Sequence, residues 1–266
     1  MTTLSDPAIR RKTAVPNDSE IKEPRVSRLT TPDLVIMKKP SQVANVSQSR
    51  AVAPARVGIG AGTRHAPAFV QLYYAIEARR TTNDPLVVQF IAPTSGNGSS
   101  TVASGYARVA ADDCADPVLY VDCAGFEPGR NANSVEPPTL VEVLRHGLPL
   151  SDATMPVRDA RNLSWARLGP GPRPLLSMGA DRLQTLLDML RTHHPVIVLD
   201  SPPADSPEAA ALSRYCDGTV LVVEAGRTRQ TEIEAAKTLI ERLGGQTVGV
   251  VLNRERGVLP RWLSRR

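Results

Sequence analysis

Aromatic side chains are scarce in this sequence. Phe, Trp and Tyr together make up 4% of its 266 residues, whereas 41% are apolar, mostly Ala, Val and Leu. The core must therefore be filled by small aliphatic side chains, which suits helices packed on a sheet. Cysteine is equally sparse. Cys114, Cys123 and Cys216 are an odd number at unrelated spacings, and the four histidines show no metal-ligand pattern. That excludes a disulfide framework and a zinc site as organising features. No apolar run approaches the roughly 18 residues needed to cross a bilayer. The opening MTTLSDPAIRRKTAV is too polar and mixed for the apolar stretch of a secretory signal. A cytoplasmic location is expected.

Basic charge is present, but unevenly placed. The net charge is +5, and residues 1–66 contain eleven Lys/Arg against five Asp/Glu, a local +6. The other 200 residues carry 21 against 22. The excess therefore lies in the N-terminal segment, which argues against a folded domain with a broad nucleic-acid surface. Residues 1–66 are rich in Pro, Ser, Thr, Arg and Lys with little periodicity, so they are expected to form a disordered basic tail. Within them, PDLVIMKKP (Pro32–Pro40) is a short apolar cluster that is either incidental or docks onto a partner or onto the folded domain. The C-terminal residues 255–266 read as a basic amphipathic segment. There Val258, Leu259, Trp262 and Leu263 lie among four arginines, a composition that suits a membrane surface or a membrane-protein partner.

Between these ends, residues 67–254 alternate in pattern. Ala66–Arg80 has apolar residues at helical spacing (Phe69, Leu72, Tyr73, Ile76) and ends in arginines, as helix C-termini favour. Strands are expected at Leu86–Ala92, Val118–Cys123, Asn162–Leu168, Pro195–Asp200, GTVLVVEA and QTVGVVLN. Helices are expected at Ser99–Ala111, Thr139–Arg145 closed by Gly147, Gly179–Thr192, Glu208–Tyr215 and Thr231–Leu243. Most of these strands are apolar at nearly every residue, and a helix stands between most of them. That predicts a three-layer α/β domain, a mostly parallel sheet covered by helices on both faces.

In such a sheet, ligands bind outside the carboxyl ends of the strands. The first strand runs into PTSGNGSSTV. Gly96 and Gly98 let backbone N–H groups approach a phosphate, and the helix from Ser99 presents its positive dipole end. The candidate phosphate-binding residues are Gly96, Asn97, Gly98, Ser99, Ser100 and Thr101. Asp122 ends one apolar strand and Asp200 another. A carboxylate there is costly unless paired or coordinating, so Ser100, Asp122 and Asp200 form a candidate Mg²⁺ set. Taken singly, each feature has a plain structural explanation, a tight turn or a helix cap.

The segments LVVQFIAPTSGNGSSTVASGYARVA, VLYVDCA and VIVLDSPPADSPEAAALSRYCDGTVLVVEAGRTRQTEIEAAKTLIERLGGQTVGVVLN together resemble the bacterial tyrosine kinases of capsule and exopolysaccharide synthesis. These belong to the MinD/ParA-like group of P-loop proteins. The likeness covers roughly Ala66–Arg266, and its C-terminal half is the most specific part: Asp-x-Pro-Pro from Asp200, the acidic, alanine-rich helix after it, and a terminal Gly-x-Val-hydrophobic-Asn motif ending at Asn253. It implies a P-loop NTPase-like fold, ATP or ADP with Mg²⁺, a polysaccharide co-polymerase of the inner membrane as partner, and homo-oligomers. It also implies attachment at the periphery of the inner membrane.

The departures fall on the positions that do chemistry. Ser99 stands where the family's loop has lysine. Asp122 remains of an Asp-x-Asp-x-Arg motif whose other positions are Ala124 and Phe126. No tyrosine follows Tyr215, where the family's C-terminal tyrosine cluster is expected, and the oligomerisation motif is partial (Glu77, Arg80, then Asn83). A lysine–phosphate contact is worth about 1.5–3 kcal/mol, a ten- to hundredfold change in affinity. Nucleotide is therefore expected to bind weakly or not at all, unless Arg227 or Arg254, which follow strand ends, replaces the lost cation. The resemblance and its departures imply a catalytically degenerate protein with a regulatory or assembly role, without a catalytic residue. An atypical active autokinase or ATPase is the alternative. A MinD/ParA-type positioning ATPase is a weaker one, because its signature lysine would fall at Thr94.

Overall fold

The computed structural model describes residues 33–38, 67–124, 137–169 and 178–255. Its elements are β1 (Asp33–Lys38), α1 (Pro67–Glu77), β2 (Leu86–Ile91), α2 (Ser99–Asp113), β3 (Val118–Asp122), α3 (Leu140–His146), α4 (Leu150–Ala153) and β4 (Met155–Pro156). They continue as β5 (Leu163–Arg167), α5 (Ala180–Arg191), β6 (Val196–Asp200), α6 (Pro207–Leu212), β7 (Gly218–Glu224), α7 (Gln230–Arg242) and β8 (Thr247–Glu255).

Alternation within each strand builds three layers. Val88, Phe90, Val118, Tyr120, Val196 and Val198 face one way, toward Phe69, Leu72 and Ile76 of α1 and Val102, Tyr106 and Ala110 of α2. Val87, Leu119, Val121, Ile197 and Leu199 face the other, onto α3 and α5. Ile91, Leu221 and Val223 continue that second layer against α6 and α7. The sheet order is β1-β8-β7-β2-β6-β3-β5-β4. Every neighbouring pair is parallel except β4 with β5. β2 lies near the middle, buried at all six positions, as a strand covered on both faces must be.

Local signals account for several boundaries. Thr139 caps α3 in a reciprocal box with Glu142, and Gly147 closes the helix in the left-handed conformation. Arg79 reaches back to the Ala75 carbonyl, 2.6 Å away, satisfying a free acceptor at the end of α1. Trp165 packs half-buried against the aliphatic layer beneath α2, and Cys123 is a small buried residue.

One expectation is corrected. The disordered tail assigned to residues 1–66 contains β1, which pairs in parallel with β8 from Asp33↔Gly249 to Lys38↔Glu255. The Asp33–Lys38 part of the apolar cluster therefore docks on the folded sheet. Its six-residue run was masked by polar, proline-rich flanks. The remainder of 1–66, Phe126 and the C-terminal segment from Arg256 with Trp262 lie outside the described residues. Two short elements, α4 and β4, were also not anticipated.

Candidate phosphate-loop site

β2 delivers the chain into the loop Pro93–Gly98, in which Gly96 and Gly98 have φ of 87° and 88°. Gly98 directly precedes α2, whose first backbone bond runs from the Val102 N–H to its carbonyl at 3.1 Å. A side chain at Gly98 would be excluded twice over, by its left-handed backbone and by the Asn253 amide, which occupies the place of a Cβ. Asn97 is 2% exposed. Its carbonyl accepts from Asn253 Nδ2 at 2.8 Å, and its side chain sits between Thr94 and Thr228 at 3.4 Å each. The six residues expected from the sequence thus run without a break from the glycine turn into the first turn of α2. Asn97 is buried, Ser99 is half-exposed, and Ser100 and Thr101 open to solvent.

The two strand-end carboxylates come together. Asp122 and Asp200 are register partners on adjacent strands. Their surroundings differ. Asp122 is half-buried, and its Oδ1 accepts the Ala124 N–H at 2.9 Å, which turns the chain after β3. Asp200 is 4% exposed, and its Oδ2 accepts from the Tyr120 hydroxyl at 2.6 Å. Burial is the main reason that its carboxyl is pushed up to about 6, with the charge of Asp122 adding to the effect. Tyr120 and Ser100 oppose the rise by favouring the anion. Ser100 lies close enough to exert that influence, yet Oδ1 makes no hydrogen bond of good geometry. The Tyr120 hydroxyl is in turn held protonated by burial and by Asp200.

A hard divalent cation, which takes oxygen ligands and keeps several waters, fits the orphaned Oδ1 beside Ser100. Among the described residues, no group of three or more His, Cys, Asp or Glu is arranged around a metal position. Ser99 supplies no cation to the loop. Arg254 and Arg227, named from the sequence as replacements, both reach it. Arg254 donates to the Gly96 carbonyl at 2.9 Å, and both guanidinium groups bind Glu224.

Three contributors were missed in the sequence. Glu224 ends β7 as Asp122 and Asp200 end theirs, so the same signal was present and passed over. Tyr120 stands two residues before Asp122 and so shares its face of the strand, but a tyrosine in an apolar run reads as core. Asn253 was noticed only as part of a terminal motif.

No family model matches the chain. It is 32% identical over 95 residues to CapB of Staphylococcus aureus, which is named as a tyrosine-protein kinase, covering 35% of this chain and 42% of that protein. Over 89 residues it is 30% identical to tyrosine-protein kinase CpsD of Streptococcus agalactiae, covering 33% and 38%. The matches thus span about two-fifths of these relatives. Among solved structures, the Escherichia coli ETK kinase domain superposes with a TM-score of 0.60 at 22% identity, over 73% of this chain and 75% of that one. The BceF tyrosine kinase domain gives 0.55 at 25% identity, over 70% and 74%.

The chain has the bacterial tyrosine-kinase fold.

MinD of Pyrococcus horikoshii, solved with Mg-ADP, has the same overall architecture at a TM-score of 0.50 and 18% identity, covering 67% of this chain and 75% of that one. Among the described residues, no helix is long and apolar enough to cross a membrane.

Proposed function

We propose that this protein is a catalytically degenerate bacterial tyrosine-kinase homologue, acting as a regulatory or assembly factor in capsule or exopolysaccharide biosynthesis and export. The observation that carries this reading is the state of the loop and its facing carboxylate. Ser99 places a neutral hydroxyl where phosphoryl transfer needs a cation, and Asp200 is already bonded to Tyr120 at 2.6 Å. Transfer depends almost entirely on positioning and on charge aimed at the phosphoryl oxygens. Losing the lysine and the second acid of the Asp122 motif together removes more than either loss alone.

In this reading the domain works by contact. Its partner is a polysaccharide co-polymerase of the inner membrane, and the basic C-terminal residues 256–266 bring the protein to that surface. The protein is cytoplasmic, peripheral at the membrane, and able to self-associate.

The test is a paired assay of purified protein and cells. We expect no autophosphorylation or ATP hydrolysis above background. Ser99→Ala should leave polysaccharide output unchanged, whereas removing residues 256–266 should lower it severalfold. Turnover that Ser99→Ala or Asp200→Ala abolishes would instead establish an atypical active enzyme.

A further inference from the structure

The positive charge that Ser99 cannot provide is present at the loop in another form. Arg227, in the turn after β7, and Arg254, in β8, share the single carboxylate of Glu224 at 3.4 and 3.0 Å. Among the described residues, the two cations share one anion, an excess of one positive charge beside Gly96, which is the charge of a lysine ammonium. Arg254 Nη1 also donates to the Gly96 carbonyl at 2.9 Å. Arg227 Nη1 lies 3.9 Å from the space that a side chain on Gly96 would enter.

The backbone points the same way. Arg254 has φ of 58°, and among the described residues only one other non-glycine, Asp159, has a positive φ. Side-chain-bearing residues hold that conformation where their surroundings over-determine it. Here the Arg254 N–H donates to Asn253 Oδ1 at 2.9 Å while the same Asn253 amide holds the Asn97 carbonyl. Strained residue, amide and phosphate loop are thus one connected unit. Across the loop, Asp200 is 4% exposed with Oδ1 unpartnered beside Ser100, an oxygen suited to a divalent cation accompanying a phosphate.

We propose that Arg254 and Arg227 form a two-arginine clamp that replaces the absent lysine and binds the diphosphate of a Mg²⁺-complexed nucleoside diphosphate at Gly96–Ser100. Glu224 is the counterion that holds the clamp at the loop in the absence of phosphate. A guanidinium presents paired N–H donors to phosphate oxygens. Both side chains have room to turn, being 46% and 67% exposed. The clamp goes beyond the non-enzymatic reading, because it gives the protein a bound nucleotide without requiring that it transfer the phosphoryl group.

The experiment is titration calorimetry of the full chain with MgADP and, separately, with magnesium pyrophosphate. Wild type is compared with Arg254→Ala, Arg227→Ala, the double variant and Arg254→Lys. Wild type should bind both probes, and each alanine should weaken MgADP by about ten- to a hundredfold. Arg254→Lys should retain part of the affinity. The thermal midpoint without ligand should stay unchanged, which a merely structural tether would not allow. Pyrophosphate should follow the same order, because the clamp grips phosphate rather than base. An affinity that is unchanged or tighter in the folded double variant would overturn the clamp. So would a wild type that binds neither probe at millimolar concentration, an outcome that leaves the non-enzymatic reading intact. Should the variants fail to fold, wild type still decides: MgADP must protect Arg254 from phenylglyoxal, mapped by mass spectrometry. Undiminished labelling would refute the proposal.

Discussion

Asp200 couples the candidate site to the stability of the fold. Its carboxyl, pushed up by burial to about 6 from an ordinary 3.8, makes the folded state prefer the protonated acid. That preference stabilises the protein fully below the unfolded value and is lost as pH rises through the folded one. The change is about 3 kcal/mol. Asp200→Asn, which cannot ionise, should therefore keep a constant offset from wild type below about pH 3 and gain on it by up to that amount at pH 7. Urea unfolding of both proteins across this range measures the difference. A gap that stays flat with pH would show that Asp200 titrates normally. Half of this was legible in the sequence: an acid ending an apolar strand announces a special environment. The Tyr120 hydroxyl that fills one side of that environment was not legible, because nothing local separates a buried tyrosine from one that donates to a neighbouring strand.

At the scale of elements, an ion pair holds the amino ends of the central strands, opposite the phosphate loop. Arg191 at the end of α5 meets Asp217 at 2.8 Å, with both side chains buried. Asp217 Oδ2 also accepts the Val87 N–H at 2.7 Å, while Arg191 donates to the Pro85 carbonyl at 2.7 Å. One pair thus fixes the entry of β2, the exit of α5 and the approach to β7. Removing a single partner strands a buried charge, so Asp217→Ala should cost about 3–5 kcal/mol in chemical denaturation. A loss below about 1 kcal/mol would mean that water reaches the guanidinium. The helices and strands joined here were readable from periodicity alone, to within about two residues at most ends. The pairing was not, since Arg191 reads as an ordinary basic residue in the last turn of a helix.

For the whole molecule, β1 closes the β8 edge of the sheet with a segment that precedes α1 by 28 residues. An exposed parallel edge is a template for association. Deleting residues 1–40 should lower the thermal midpoint and produce concentration-dependent assembly, read by light scattering. A truncated protein that stays monomeric with an unchanged midpoint would show that β1 adds little. Composition concealed this strand, because six apolar-rich residues among prolines and serines weigh little against the segment around them.

The sequence by itself determined the alternation of strands and helices, the burial of the central strands on both faces, the glycine turn after β2 and the absence of its lysine. Each depends on residues close together in the chain. Only the tertiary structure decided which charges meet that turn. β8 lies two places from β2 in the sheet, so Arg254 reaches Gly96 from 158 residues away. Hydrophobic pattern specifies that a strand is buried without specifying its neighbour. Packing of the whole sheet sets strand order, and strand order places Arg254, Glu224 and Asn253 at the loop.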